Sequence, residues 1–277
     1  MVNIFADSTS DLGELAARHH VAVIPLSVTI GGINYLDGVD IHAAQLFDLV
    51  KQTGELPKTA ACSAGEYQKA FEQVDGECIY VGVSSQLSAS VQNARLAAQL
   101  LPAGKLRVVD SLNLSTGIGL LALRAAELRD RGMAAAQIEM ELSGMVSKVH
   151  SSFMIDTMEY LYKGGRCSAL QALAGSVLKI HPVIEVRRDG TLGVREKARG
   201  VRQKGLDLLL DDFAAHLPRL DRGRVFVTHA AAPEDAEILA DAVRRLAAPK
   251  EVCITTAGSV ISSHCGPGTI GILYMEQ

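Results

Sequence analysis

The sequence predicts an α/β protein of two domains, a layered parallel α/β half followed by an α+β half. Three observations carry this. Short apolar runs alternate with helical patterns from the first residue to about residue 149, which is the grammar of βαβ units and a parallel sheet. Past Arg166 the grammar changes: two strand-like runs flank Asp189-Gly190, a strong hairpin signal, and mixed elements follow. The chain, at 277 residues, is long enough for two cores. The boundary falls near Ser151–Gly165, giving domains 1–155 and 156–277.

Taken in order, Met1–Ala6 is a short apolar strand. Asp7-Ser-Thr-Ser-Asp11 follows, and any of these side chains can cap a helix over Leu12–His20. Val21–Ile30 reads as one β-rich run, and Ile33–Ile41 as a turn-rich connection. Ala43–Thr53 is an amphipathic helix with Leu46, Phe47, Leu49 and Val50 inside. A polar loop, Gly54–Ala61, leads to Ser63-Ala-Gly-Glu66, a capping box that opens the helix Tyr67–Val74. Cys78–Val83 is a buried strand, Ser84–Ser90 a polar link and Val91–Leu101 a helix. Leu106–Asp110 is a strand, and Thr116–Arg131 and Ala134–Val149 are helices.

The second half opens on a β-like run, Ser152–Asp156, and a helical turn, Met158–Lys163. Gly164 and Gly165 stop that turn, since glycine takes positive φ without steric cost. Cys167–Leu178 has no formal charge; Ser168 can cap it, and Leu170, Leu173, Ala174, Val177 and Leu178 fall at helical spacing. His181–Arg187 and Leu192–Lys197 form the hairpin. Val201–Leu217 is a helix, Arg224–His229 a strand, Pro233–Ala247 a helix opened by proline, and Glu251–Thr256 and Ile270–Met275 the last strands.

Composition excludes several classes of function. The formal net charge is −4 and only 4% of residues are aromatic, with no Trp, so the chain offers neither a basic field nor stacking platforms for nucleic acid. Five cysteines, an odd number without a Cys-x-x-Cys pair, argue against a disulfide framework or zinc knuckle and fit the cytoplasm. The N-terminus lacks the basic and apolar regions of a signal peptide. Val252–Met275 is long enough to span a bilayer but is broken by glycine, proline and hydroxyls, and reads as strand–loop–strand. No metal-ligand spacing, Walker loop or dinucleotide fingerprint occurs, and Gly82-Val-Ser-Ser-Gln86 lacks the closing glycine of a nucleophile elbow. The reading expects no metal and no cofactor.

Candidate chemistry sits where strands end, because ligands in open α/β sheets bind beyond the carboxyl ends of the strands. Asp7–Ser10, Ser84–Ser90 and Asp110–Ser115 occupy such positions. Ser88 and Ser90 stand at a helix start, which suits an anion as well as simple capping. Arg166 offers a planar fork of donors beside the apolar Cys167–Leu178 run, a pairing suited to a ligand with an anionic head and a greasy body. A surface arginine before an ordinary core helix fits the same residues. His264 is held in direction by Gly266-Pro-Gly268 within a loop, Ser262–Gly268.

Taken as an ordered set, these stretches resemble the DegV family. The matching pieces are Asp7-Ser-Thr-Ser-Asp-Leu12, Pro25-Leu26, Tyr35–Ile41, Lys58-Thr59, Gly65-Glu66, Ser84-Ser-Gln-Leu-Ser88, Val109-Asp-Ser111, Glu159–Arg166, Lys179-Ile-His-Pro182, Lys197-Ala-Arg-Gly200 and His264–Gly268. The resemblance implies an N-terminal Rossmann-like three-layer α/β domain and a C-terminal α+β domain, with a long-chain fatty acid in the seam. It implies that Thr59 and Ser88 hydrogen-bond the carboxylate with His264 close by. Ser90 is an additional polar contact, and Arg166 stands at the pocket mouth, placed for phosphoryl transfer. The partner implied is a separate ATP-dependent kinase subunit that phosphorylates the bound acid, after which this chain carries the acyl phosphate to phospholipid synthesis, with transient contact at a membrane surface. The chain would then be a lipid-binding subunit and not itself an enzyme. Its pocket pattern departs from the family's: Thr59-Ala-Ala-Cys-Ser63 stands for Thr-Ser-Gln-Pro-Ser, Leu87-Ser-Ala-Ser90 for Leu-Ser-Gly-Thr, and Cys265 for a threonine. Two other classes of function stay open on these residues. One is a dihydroxyacetone-kinase-like binder holding a small carbonyl on His264; the other is an acyl hydrolase using Ser88 and His264.

Overall fold

The computed structural model describes residues 2–167 and 180–277. Its first sheet is fully parallel and has the order β2-β1-β6-β7, built from β1 (Val2–Asp7), β2 (Val21–Ile24), β6 (Glu77–Gly82) and β7 (Leu106–Asp110). β6 is covered on both faces, so it reads as an unbroken apolar run. The chain leaves β1 for β2 on one side and returns through β6 and β7 on the other. The switch point of this sheet therefore lies beyond the carboxyl ends of β1 and β6, where Asp7–Ser10 and Val83–Ser90 emerge.

The second sheet has six strands in the order β10-β9-β8-β13-β11-β12. These are β8 (Val149–Met154), β9 (Ile180–Val186), β10 (Leu192–Arg199), β11 (Leu220–Ala230), β12 (Glu251–Thr256) and β13 (Thr269–Glu276). Only β11 and β12 pair in parallel. The expected hairpin is present: β9 and β10 pair across Asp189-Gly190, and Gly190 takes φ of +84°. A third, small antiparallel sheet, β4-β3-β5, holds β3 (Ser27–Ile30), β4 (Ile33–Leu36) and β5 (Lys58–Ala60).

Helix α5 (Thr116–Asp130) lies between the two larger sheets. It is buried nearly all round, as a helix with apolar and small residues on every face must be. Its core cluster joins Ile4 and Ile79 of the parallel sheet to Phe226 and Leu273 of the six-stranded one. The remaining helices are α1 (Glu14–Arg18), α2 (Ala43–Thr53), α3 (Ala64–Glu72), α4 (Ser90–Leu100), α6 (Ala135–Met145), α7 (Glu159–Lys163), α8 (Gln203–Ala215), α9 (Pro233–Ala247) and α10 (Ser259–Cys265); α10 is largely buried, packed against α2, α7 and β3. Ser63 and Glu66 close the expected capping box of α3 reciprocally. No helix of the described residues is long and apolar enough to cross a membrane.

Several expectations are corrected. Asp7–Asp11 do not cap a helix over Leu12–His20; α1 starts at Glu14 with Gly13 before it, and Asp7 and Asp11 are buried acceptors. Val21–Ile30 is two strands in two sheets, broken at Pro25-Leu26, because proline supplies no ladder donor. Ile33–Ile41 contains β4, and the polar loop Gly54–Ala61 contains β5, which puts Thr59 on a strand. The helix over Ala134–Val149 ends at Met145, and β8 begins at Val149. The loop carrying His264 is helix α10. The apolar run expected over Cys167–Leu178, with Ser168, Leu170, Leu173, Ala174, Val177 and Leu178, lies outside the described residues beyond Cys167.

Candidate functional site

Between the parallel sheet and the six-stranded sheet lies a pocket of about 1140 Å³ of unfilled space, including the part that opens to solvent. Its wall from the first half includes Leu26, Val83, Leu87 and Leu114; the second half contributes Phe153, Leu161, Leu192, Ile261 and Leu273. Such a lining suits a hydrocarbon, with a few polar groups to fix its head. Thr59, Ser88, His264 and Arg166, four residues far apart in the sequence, all line it. Ser90 does not; it is fully buried behind Ser88.

Each polar group is placed by its element. β5 pairs with β3 in register Val28↔Thr59, which sets Thr59 against the last turn of α10. There the Thr59 hydroxyl lies 2.8 Å from His264 Nε2. Helix α10 is itself pinned to the first half by two carboxylates at its start: Gly258 N–H donates to Asp11 (2.8 Å) and Ser259 N–H donates to Asp37 (2.6 Å). Ser88 sits in the turn after β6, accepts the N–H of Ser90 at 3.2 Å and shares a hydrogen bond with the Ser90 hydroxyl at 2.9 Å.

Burial, and then the nearby Arg166 charge, push His264 down to about 4. The imidazole is therefore neutral at physiological pH. Its Nδ1 is buried and has no hydrogen-bond partner among the described residues. A bare lone pair there is less costly than an unpaired N–H, and it suits the neighbouring cation. The arrangement favours the Nε2–H tautomer, which donates to Thr59 and leaves the threonine proton free to point into the pocket. His264 is bonded to Thr59 and Ser88 to Ser90, so Ser88 and His264 are not arranged as a nucleophile and its base.

Arg166 is exposed at the rim. Its Nη1 donates to Gly164 O (2.6 Å) and its Nε to Leu87 O (3.4 Å), so the side chain crosses from the second half to the first beside Ser88. Among the described residues it forms no ion pair. The two glycines before it serve different ends. Gly165 takes φ of +70° and makes the turn. Gly164 keeps helical backbone angles, and what it supplies is space: an added Cβ would stand 2.6 Å from His264 Nδ1. Gly164→Ala should displace His264 and break its contact with Thr59 without unfolding the protein. Histidine NMR resonances that stay unchanged in the variant would contradict this.

Sequence reasoning singled out none of five further polar groups that line the same pocket: Thr9, Ser115, Thr228, His229 and Thr269. His229 accepts the N–H of Ala232 at Nδ1 (3.2 Å), and burial lowers its pKa. Thr9 and Ser115 lie in the polar clusters at strand ends, which was their only sequence signal.

A mixed two-domain α/β fold around a largely apolar pocket that also carries hydroxyls and a neutral histidine is an arrangement suited to a small amphiphile. Comparison with known proteins gives the family. The model described as "Uncharacterised protein, DegV family" matches residues 1–277. A DegV domain-containing protein of Deinococcus radiodurans is 35% identical over 280 residues, covering 98% of this chain and 97% of the relative. The chain belongs to the DegV family. Among solved structures, "Fatty Acid Binding of a DegV family Protein from Thermus thermophilus" has TM-score 0.91 and 30% identity, covering 100% of this chain and 99% of that one. DegV, "a fatty acid binding protein from Bacillus subtilis", has TM-score 0.86 and 28% identity over 100% of this chain and 99% of its own.

Proposed function

We propose that this protein binds one long-chain fatty acid in the seam between its halves and presents the carboxylate to a separate ATP-dependent kinase subunit. The observation that carries this reading is the meeting, in one pocket, of an apolar wall with the polar side chains of Thr59, Ser88 and His264. Thr59 donates to the carboxylate, His264 orders Thr59, and Ser88 supplies the second hydroxyl. The first domain carries these headgroup hydroxyls and the second covers the tail. Burying a sixteen-carbon chain contributes on the order of 10 kcal/mol before ordering costs, enough for retention through purification. The related proteins of Thermus thermophilus and Bacillus subtilis, described as fatty acid binding, support the ligand class.

The acyl phosphate made on the kinase would leave with this protein for phospholipid synthesis, the chain itself acting as carrier. The exposed Arg166 at the mouth supports a role in that transfer, because it can face both the bound head group and an incoming phosphate. Thr59→Ala and Ser88→Ala should each weaken fatty-acid binding while leaving the thermal unfolding profile near wild type. Each loses a hydrogen bond to a charged group, worth about 1.5–3 kcal/mol. A displacement titration with a fluorescent fatty acid reads this, and wild-type affinity in either variant removes that residue from the head-group site.

A further inference from the structure

Behind Ser88 a file of hydroxyl groups runs into the core. Ser88 Oγ lies 2.9 Å from Ser90 Oγ. The Tyr67 phenol is the next polar group inward, close enough to Ser90 for the serine hydroxyl to lower its pKa. Tyr67 Oη lies 2.9 Å from Tyr80 Oη, and Tyr80 donates to Asp7 Oδ2 at 2.9 Å. Val83 N–H also donates to Oδ2 (3.0 Å), and the Thr9 hydroxyl donates to Oδ1. Ser90, Tyr67, Tyr80 and Asp7 are all 0% exposed. Room for the file is built in: at Gly82 a Cβ would meet Tyr80 Oη at 2.9 Å and Val91 at 2.9 Å.

Counting protons fixes the direction of this file. Each hydroxyl has one proton to donate. With Asp7 ionised, Tyr80 spends its proton on Asp7, so Tyr67 must donate to Tyr80, Ser90 to Tyr67 and Ser88 to Ser90. Ser88 then shows the pocket a lone pair, which suits a protonated carboxyl and repels a carboxylate. With Asp7 neutral every bond reverses, and Ser88 donates into the pocket.

We propose that Asp7 and the bound carboxyl share one proton through Ser88, Ser90, Tyr67 and Tyr80, with Asp7 as the base that receives it. The inference rests on the fatty-acid reading above. The step balances: the ligand O–H bond breaks as Ser88 gains that proton, each hydroxyl passes its own proton inward, and an O–H bond forms on Asp7. The ligand is left as a carboxylate that accepts from Ser88, which is the form that attacks a phosphoryl group. Burial raises the pKa of Asp7, as a group that takes up this proton requires. The titratable groups facing Asp7 are Asp11, with Asp37 behind it, the phenols of Tyr67 and Tyr80, and the Cys62 thiol, so no cation holds Asp7 ionised from these positions.

Proton linkage tests this. Dodecanoic acid is bound to the full chain by calorimetry in buffers of different ionisation enthalpy, from about pH 6 to about pH 9, where the free acid is ionised and His264 neutral. Binding should take up a proton, and Kd should rise about tenfold per pH unit once Asp7 is ionised in the free protein. Tyr67→Phe and Tyr80→Phe keep the rings and cut the file; both should still bind the acid but lose the uptake and the pH slope. Tyr274→Phe, which removes a buried phenol with no partner among the described residues, should keep both. Uptake that persists in the two variants, or is absent from wild type, overturns the proposal. A wild-type protein that binds no acid at any pH overturns instead the reading on which it rests.

Discussion

Arg166→Ala should purify with its lipid, melt like wild type, and yet fail to support acyl phosphate formation with a cognate kinase and ATP. The side chain is exposed and its hydrogen bonds go to the carbonyls of Gly164 and Leu87, so neither core nor fold depends on it. Ion pairs at an exposed rim are worth about 0–1 kcal/mol, whereas the buried tail contributes far more. The demand changes in phosphoryl transfer, where negative charge gathers between the γ-phosphoryl group and the carboxylate. A guanidinium already in place there lowers the barrier by about 3–4 kcal/mol, a loss of about 10²–10³-fold when it is removed. Lipid extraction combined with a coupled kinase assay decides the matter. An empty variant would make Arg166 the carboxylate anchor, and a full variant with normal turnover would remove it from the reaction.

The largest effect on stability is expected at Asp11, 5% exposed and tied to both halves of the molecule. Ser115 donates to one of its oxygens (2.6 Å) and the Gly258 N–H to the other (2.8 Å). Asp11→Ala leaves two donors without an acceptor, at about 1–3 kcal/mol each, a large part of a domain's stability. It should also loosen α10 and with it the Thr59–His264 contact. Asp11→Asn separates charge from structure. Burial, with Asp37 and Asp7 adding repulsion, raises the Asp11 pKa well above its ordinary value, so the folded state holds the proton more tightly than the unfolded chain. That contribution is complete below the ordinary carboxylate pKa and is lost as pH rises through the folded-state titration. His264, lowered to about 4, works the other way: its contribution is complete above the ordinary histidine value and falls away as pH drops toward 4. Asparagine should therefore flatten the alkaline side of the stability profile while leaving the acid side in place. Urea melts across pH check this, and an unchanged alkaline slope would contradict it.

What the sequence made legible was local. The capping box Ser63–Glu66, the hairpin at Asp189-Gly190 and the proline-led helix α9 are each specified by neighbouring residues, and each forms as read. Most of the misreadings share a physical cause: the deciding partner is distant in the chain. Asp7 and Asp11 look like caps until Tyr80, Ser115 and Gly258 arrive from elsewhere to donate to them. Val21–Ile30 is a different case: Pro25 is a local signal for the break, and only the sheet that β3 joins depends on the distant strands β4 and β5. Gly164 reads as a helix stop, although what constrains it is a histidine a hundred residues away along the chain. Ser88, Arg166 and His264 could be picked from the residues themselves, whereas Thr59, and the meeting of all four at one pocket, came only from the family resemblance; the fold lines one pocket with all four. The buried file from Ser90 to Asp7 left no pattern in the sequence, since tyrosine and serine at such spacings are equally ordinary core and cap residues.

The most direct test of the central claim is to denature the purified protein, extract it into organic solvent and identify what it carried by mass spectrometry. The account predicts a fatty acid of about fourteen to eighteen carbons in one-to-one amount with the chain, a length whose burial suffices for retention. A protein that releases no acid, and takes none up when incubated with one, would contradict it.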